Sequence, residues 1–542
     1  MNASKLSFKI IPFALALNCF GMLSAAENTF YFWGDATGHQ KMPNVVDAAA
    51  WSTSRSEYIP PSEGTNVNST DANWVIDYEA HLPISMRIEG YYYNITTPTL
   101  NLGSISIVNF NYNNIGSYYD SNNNLVSDGN ASAKTMLISD ANNAYWNIGN
   151  FTFTGGTSSA TVVFGSSKFN STQPEVTLGS VDIGSDGAKS IIYFGGDASG
   201  VCLATMGDNA GTNVTMNEDA CMKYLTVNGD FNITGNSTVG LNVWNEDTSA
   251  LHSENTPDIV IDGVVRMTPS STGELPRLNI LNRVNVISWS SSKPAPGATH
   301  IYAKIGGLDG MGVFTNNSRT MESSTVKLIF TNEVDCEFSG EFSEKPADDV
   351  TTVMSVKMAG ENGKKQIIHA DAQFSGTVEV ESGTLIMKSS TALGKLTMRG
   401  GAFGGIDGGV KVSGADWYGG DIVFHNAETF FGGYADKITI DGTFTKSAEG
   451  KIGVDFSGLD AALLIEDGNN VFDLITANAL EGLFSSDAND DFEAKNLLNA
   501  IADFAWVGNT LTVTFSQVPE PAAVAALIGA FALGIAAWRR RR

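Results

Sequence analysis

The residues best suited to chemistry are three aspartates that lie near an aromatic pair. Asp407, Asp416 and Asp421 follow one another closely, with Trp417-Tyr418 among them. Paired carboxylates perform the acid and base steps of glycoside hydrolysis. The group therefore allows one reading of the chain as a carbohydrate-active enzyme, either a polysaccharide lyase or a glycoside hydrolase. Nothing in the sequence brings the three acids together in space, so acids and aromatics on turns of a non-enzymatic fold are the favoured interpretation.

Patterns for other catalytic and metal sites are absent from the sequence. There is no Gly-x-Ser-x-Gly turn, no His-Glu-x-x-His helix and no Cys/His spacing typical of zinc. Stretches that begin at Asp120 and Asp487 resemble calcium loops but lack the required glycine and final glutamate. The scattered histidines are interpreted as surface or strand residues: His39, His81, His252, His300, His369 and His425. We therefore predict a protein that is not an enzyme and needs no metal or cofactor.

The composition indicates a folded, acidic protein. The net charge is -26, and such a surface repels nucleic acid. Hydrophobic residues make up 42% of the chain, which is enough for a large core, and the 56 glycines favour many turns. Nucleic acid is therefore excluded as a partner.

Two-residue alternation of apolar side chains is found along most of the chain and predicts β-strands. It is clear over 225–243, where Asn228-Gly229 closes a tight hairpin or turns a corner between two sides of a coil. Over 367–445, glycines separate short apolar pairs such as Val378/Val380 and Leu396/Met398. This spacing fits a chain that winds a coil or runs through hairpins.

One segment of this region has a sharper signature. Residues 374–385 read Phe-Ser-Gly-Thr-Val-Glu-Val-Glu-Ser-Gly-Thr-Leu, which resembles the autotransporter-associated β-strand repeat. The likeness extends over about 30 residues, to Phe403. It implies an all-β, elongated parallel β-solenoid, and it carries no catalytic residues.

The pattern changes after Thr445. Phe472 to Ile475 and Leu511 to Phe515 are predicted strands. Between them, Leu497, Leu498, Ile501 and Phe504 fall on one face of a helix, with Ser486 or Asp487 as its N-cap. Because repeat folds need their terminal coil covered, we expect a small C-terminal capping helix.

The last residues form a three-part tail. Val518, Pro519, Glu520 and Pro521 precede an uncharged apolar run over 522–538, which ends at Trp538 and is followed by Arg539, Arg540, Arg541 and Arg542. As a helix the run would be about 26 Å long, slightly less than a hydrocarbon core of ~30 Å. The positive-inside rule places the arginines in the cytoplasm and Pro-Glu-Pro on the opposite side. The run is thus predicted to be a marginal transmembrane helix.

This tail resembles the PEP-CTERM sorting signal of Gram-negative bacteria. The resemblance implies that an exosortase-type enzyme of the inner membrane processes the chain near Pro519 to Pro521. It also implies a link to the cell envelope and to exopolysaccharide. An ordinary permanent single-pass anchor is the alternative.

The N-terminus is typical of a secretory signal peptide. Lys5 and Lys9 precede a short apolar stretch, and Ser24-Ala25-Ala26 is a small-residue cleavage site. Cleavage after Ala26 makes the Sec translocon and signal peptidase partners. Of the remaining cysteines, Cys202 and Cys221 either form a disulfide or stay as buried thiols, as Cys336 does.

These observations give five regions. They are the signal peptide 1–26, an N-terminal β-rich region 27–345, a β-strand repeat region 346–445, a capping region 446–517 and the sorting tail 518–542. The predicted protein is a cell-surface or extracellular-matrix structural or adhesion-type protein. It would be held transiently in the inner membrane and then released to the envelope or beyond.

The tail makes the first testable prediction. Intact-mass spectrometry of the protein from its native host should show a mature C-terminus near Pro519 to Pro521. A mature chain that retains Arg542 would contradict processing and would make the tail a permanent anchor.

Overall fold

A computed structural model describes most of the chain. The described residues are 28–32, 48–77, 91–95, 99–110, 117–119, 125–127, 134–139, 145–155, 160–166, 175–194, 206–207, 213–214, 224–242, 253–282, 299–318, 324–345, 352–426, 428–466, 468, 470–518, 530–531, 533 and 535–540.

The strands of the N-terminal half are β1 Thr29–Phe32, β2 Trp51–Ser52, β3 Asn73–Asp77, β4 Tyr91–Ile95, β5 Thr99–Phe110, β6 Ser117–Tyr119, β7 Leu125–Ser127, β8 Lys134–Ser139, β9 Tyr145–Gly155, β10 Ala160–Ser166, β11 Glu175–Phe194, β12 Met206–Gly207, β13 Asn213–Val214, β14 Tyr224–Val227, β15 Phe231–Asn242, β16 Ile259–Ile261, β17 Val265–Thr268 and β18 Arg277–Asn282.

Those of the C-terminal half are β19 Thr299–Ile305, β20 Leu308–Ser318, β21 Ser324–Phe330, β22 Cys336–Lys345, β23 Thr352–Ala359, β24 Lys365–Asp371, β25 Val378–Ser382, β26 Thr384–Lys388, β27 Leu396–Met398, β28 Ala402–Gly405, β29 Val410–Val412, β30 Ala415–Trp417, β31 Asp421–Val423, β32 Ile438–Lys446, β33 Ile452–Asp455, β34 Val471–Gly482, β35 Phe492–Lys495, β36 Ala500–Val507 and β37 Thr510–Gln517. The short helices are a 3-10 turn Ala48–Ala50, α1 Glu428–Phe431, α2 Ala462–Glu466 and α3 Ala488–Asp491.

The strands stack in parallel as the chain winds through three sides of a coil. Face one includes β17, β20, β22, β24, β26, β28, β31 and β33. Face two includes β14, β16, β19, β21, β23, β25, β27 and β30. Face three includes β18 and the second halves of β15, β20 and β22. The predicted, predominantly parallel β-structure is confirmed.

A single core fills the interior because alternate side chains of every face point inward. Val378 and Val380 on β25 are fully buried, as are their register partners on β23, Val356 and Met358. Near the N-terminal end, Trp51 packs against Trp74 with ring centroids 4.7 Å apart. The two-residue periodicity of the sequence therefore corresponds to inward and outward positions along each coil.

Glycines line the corner where face two turns into face one. We call Gly103, Gly149, Gly179, Gly229, Gly263 and Gly306 the glycine column. A Cβ on Gly149 would lie 2.3 Å from the carbonyl oxygen of Gly103, and one on Gly179 would lie 1.9 Å from that of Gly149. Successive corners are thus too close for any side chain.

This geometry decides between the two readings of Asn228-Gly229. The Asn228 N–H donates to the carbonyl of Leu178 in the preceding coil, and the flanking strands β14 and β15 each pair in parallel with β11. The pair turns a corner of the coil and does not close a hairpin.

The C-terminal cap differs from the prediction. Where a helical face was expected over 497–504, the chain forms β36, which pairs antiparallel with β37, and β37 pairs antiparallel with β34. Leu498 and Ile501 are about half exposed, at 50% and 49%, so no apolar helical face is buried. The predicted capping helix over these residues is therefore wrong, because alternation at Ala502, Phe504 and Trp506 favours a strand.

A small C-terminal helix is nevertheless present as α3, and it begins at one of the two predicted N-cap residues. Asp487 is the N-cap of the short helix α3, and its carboxylate accepts the Asn489 N–H. The Asn489 side-chain amide then donates to the carbonyl of Phe504 at 3.1 Å and accepts its N–H at 3.0 Å. A side chain thus pairs with the outer edge of β36 where another strand would otherwise bind.

Within the described part of the chain, no helix is long and apolar enough to cross a membrane. The predicted span 522–538 is described only in part, from residue 530 onward, with helical residues up to 540. That span stays a prediction.

The glycine column gives a prediction about stability. Gly179→Ala should destabilise the protein by about 1–3 kcal/mol, because the new methyl group overlaps the Gly149 carbonyl. The matched control is Gly184→Ala on the same strand, where an added Cβ meets nothing within 4 Å. Thermal and urea denaturation followed by circular dichroism would measure both. Equal stability of the two variants would contradict the role of the column.

Candidate functional site

The three aspartates proposed from the sequence do not form a common site. Asp416 on face two pairs with Lys395 at 2.7 Å, and Asp421 on face one pairs with Lys495 at 2.9 Å. Asp407 follows β28 and contacts His369 at 3.1 Å. Each carboxylate has its own partner, so the arrangement lacks the facing carboxylates that glycoside hydrolysis requires.

The aromatic pair is also divided between different roles. Trp417 is 4% exposed, and its indole N–H donates to the carbonyl of Gly420 at 2.9 Å. Tyr418 is 46% exposed, and the guanidinium of Arg399 lies 5.3 Å from its ring centroid. Trp417 is a core residue and cannot serve as a sugar platform.

The predicted sorting residues lie at or beyond the end of the last strand. Val518 is half exposed directly after β37, and Trp538, Arg539 and Arg540 are exposed. Pro519, Glu520, Pro521, Arg541, Arg542 and the cleavage residue Ala26 lie outside the described residues. Their roles stay predictions.

The remaining cysteine is a core residue. Cys336 is a buried free thiol, and burial raises its pKa to about 11. A thiol that stays protonated at neutral pH is a poor nucleophile. Cys202 and Cys221 lie outside the described residues, so their pairing stays open.

A group of ionisable side chains from different coils surrounds His369, near the end of β24. Its Nδ1 lies 3.1 Å from Oδ2 of Asp407, and its Nε2 lies 3.9 Å from Oε2 of Glu337. Glu337 belongs to β22, the neighbouring strand of face one. The imidazole therefore lies between two carboxylates from different coils.

A loop that folds back over face one brings Asp407 to His369. Ile406 packs on the outward-facing side chains of Ile367, Ile386 and Val423, which form a small apolar cluster outside the main core. The loop is tightly turned, since Asp407 has a φ of 52°. Apolar contacts on the outer surface thus fix a carboxylate beside the imidazole.

Below this loop lies a buried acid. Asp436 is 1% exposed, and its Oδ1 accepts the Gly408 N–H at 2.7 Å, while Oδ2 has no hydrogen-bond partner. Burial raises the pKa of the Asp436 carboxyl, and the negative charge of Asp407 raises it further. Burial lowers the pKa of the neighbouring His425, as does the positive charge of Lys365.

A groove opens beside His369, along the corner where face one turns into face three. Its volume is about 350 Å³. Residues from four successive strands of face one line it, among them Pro269, Met311, Glu337, Ser339 and His369. We call this feature the corner groove.

The corner groove has polar groups that can bind a ligand but lacks a nucleophile with its base. The Ser339 hydroxyl donates to the carbonyl of Gly310 at 3.4 Å, and no hydrogen bond joins it to His369 in the described structure. Among the described residues, no group of three or more His, Cys, Asp and Glu could hold a metal ion.

The sequence did not reveal this groove because its residues lie on successive coils but far apart along the chain. Glu337 and His369 belong to neighbouring strands, but 32 positions separate them in the chain. Their proximity follows only when the length of each coil is known. Comparisons with protein-family models, curated proteins and solved structures give no match for this chain.

The buried Asp436 gives a prediction about pH dependence. Its folded-state pKa is raised, so its ionisation opposes folding, and this cost disappears as the pH falls from about 7 towards the unfolded value near 4. The melting temperature of the wild type minus that of Asp436→Asn should therefore increase on acidification. Asp473→Asn, which removes an exposed carboxylate, controls for net charge. A difference that stays constant with pH would contradict this assignment.

Proposed function

We propose that the protein is an exported structural or adhesion-type protein of the cell surface or extracellular matrix. The observation that carries the proposal is the stack of coils that the described residues form around a main core, with polar side chains linked to one another along its outer surface. Such a body offers a long, regular surface for attachment. It needs no catalytic centre.

The outer surface is stabilised by contacts between successive coils. On face one, the Ser180 hydroxyl donates to Asn150 at 2.8 Å, and the Asn232 amide donates to Asp182 at 2.7 Å. The exposed Arg266 forms ion pairs with Asp230 and Asp309 in the coils on either side. Individual surface contacts are worth little, but a continuous row resists local opening of single coils.

Face two carries a denser ion-pair network. Lys327 contacts Glu254 and Glu379, and Lys357 contacts Glu254 at 2.7 Å and Glu381 at 2.6 Å. These pairs lower the pKa of Glu254 and raise the pKa of Lys357, although burial opposes both shifts. Glu254 therefore links the segment before β16 to β21 and β23, which belong to later coils.

The two termini supply the proposed route. A signal peptide cut after Ala26 would send the chain through the Sec translocon, and the tail 518–542 would hold it in the inner membrane for an exosortase-type enzyme. The last strand ends at Gln517, and the predicted membrane helix begins at 522. Four residues span at most about 14 Å, so the cap would lie next to the membrane until the tail is processed. The envelope and its exopolysaccharide are the proposed final surroundings.

A carbohydrate-active enzyme remains the competing function, and a paired experiment tests between the two. Cell fractionation and surface proteolysis of the native host should find the protein in the envelope or outside the cell. The purified full chain should show no turnover of neutral, acidic or amino-sugar polysaccharides. Turnover that is lost in Asp407→Asn, Asp416→Asn or Asp421→Asn would overturn the structural role.

A further inference from the structure

Two segments project outward at the corner where face one turns into face three. The corner groove is the lower part of the surface between them, which we call the saddle. On its N-terminal side the chain makes an excursion after β17, where the Glu274 N–H donates to the Ser270 hydroxyl and the Gly273 N–H donates to the Ser270 carbonyl. On its C-terminal side stand His369 and the folded-back loop with Asp407. Between them β20 and β22 cross the corner without any insertion.

Glycines leave the backbone at the floor of the saddle without side chains. A Cβ on Gly340 would lie 2.1 Å from the carbonyl oxygen of Gly312, and one on Gly310 would lie 2.2 Å from that of Met267. The backbone of consecutive coils is therefore bare at this point. A ligand that lies along the coil axis can reach the backbone and side chains of several strands together.

Carboxylates dominate the charges at the saddle. Glu337 is 64% exposed and Asp407 is 44% exposed, and both flank the one imidazole of His369. Asp309 stands beside them, since its carboxylate accepts the Glu337 N–H at 3.2 Å. The nearby cations are Arg266, which is shared between Asp230 and Asp309, and Lys365. The rim thus keeps a negative charge that is suited to a cationic group.

The rest of the lining is mixed in character. Met311 is 43% exposed on the floor, and Pro269 forms part of the wall. The hydroxyls of Thr268 and Ser339 lie between these apolar groups. Apolar surface interrupted by hydroxyls and carboxylates matches a sugar ring, which presents C–H faces and O–H edges.

We propose that the corner groove binds a glycan that carries free amino groups, with its chain along the coil axis and an ammonium group near Glu337. This inference rests on the proposed function, for which it names the class of ligand. Polymers of uronic acids are excluded by charge, since the groove carboxylates and the net charge of -26 repel them. A basic peptide is the other chemistry that could satisfy the carboxylates, and the test includes it.

The test is calorimetric titration of the full chain, in neutral detergent, with four probes at low salt. They are tetramers of glucosamine, N-acetylglucosamine, galacturonic acid and lysine. The glucosamine tetramer should bind more tightly than each of the other three probes. Glu337→Gln should weaken its binding about tenfold, because a charge-assisted hydrogen bond is lost. Met311→Ser should weaken it about threefold, because apolar surface is lost.

The matched control is Glu361→Gln, which removes an exposed carboxylate at the corner between faces two and one and should leave binding unchanged. Melting curves of all variants would exclude unfolding as the cause of any loss. Equal binding of the acetylated tetramer, tighter binding of the lysine tetramer, no binding of any probe, or equal loss in Glu361→Gln would each overturn the proposal. If the native host kept the protein in its cytoplasm, the proposed function would be wrong. The titrations would still show whether the corner groove binds the glycan.

Discussion

The close contact between backbones at the corner of successive coils is the constraint on which the structure depends. Parallel strands on three faces can stack only if the turns between the faces stack too. At the corner between faces two and one, a glycine lies against the carbonyl oxygen of the glycine below it, at distances that exclude a Cβ. The alternating core and the outer rows of polar side chains both require a constant spacing between successive corners along the coil axis.

The glycine column ends at Gly306, and the next corner of the same kind shows how the constraint can be met differently. Asn332 lies at this corner, and its side-chain amide donates to Gln366 at 3.1 Å. The Gln366 carboxamide in turn accepts the Leu308 N–H at 2.9 Å and donates to the Leu308 carbonyl at 2.8 Å. Gln366 is fully buried, and its side-chain amide forms with the Leu308 backbone the two hydrogen bonds that a neighbouring strand would otherwise form. The Asn332 amide nitrogen and the Gln366 carboxamide are thus paired inside the core, whereas the buried Oδ1 of Asn332 has no hydrogen-bond partner.

Much of the fold could be predicted from the sequence because strand periodicity is local information. Val378 and Val380 point into the core as their alternation requires, and the strand predicted at Leu511, Val513 and Phe515 is β37. The helix predicted over Leu497 to Phe504 was wrong because apolar residues there fit both periods, and pairing with β37 decides between them. The corner groove could not be predicted, since it depends on which residues, far apart in the sequence, become neighbours in successive coils.

The side-chain amide of Asn489 has a consequence for assembly. A stack of β-coils ends in a strand whose free edge could add further strands, from another molecule or from a misfolded copy. Here the N–H and C=O of Phe504 are already bonded to Asn489, and β37 joins β34 in the antiparallel direction, unlike the parallel pairs of the coils. An added strand therefore cannot bond to β36 at Phe504 unless it displaces the Asn489 side chain.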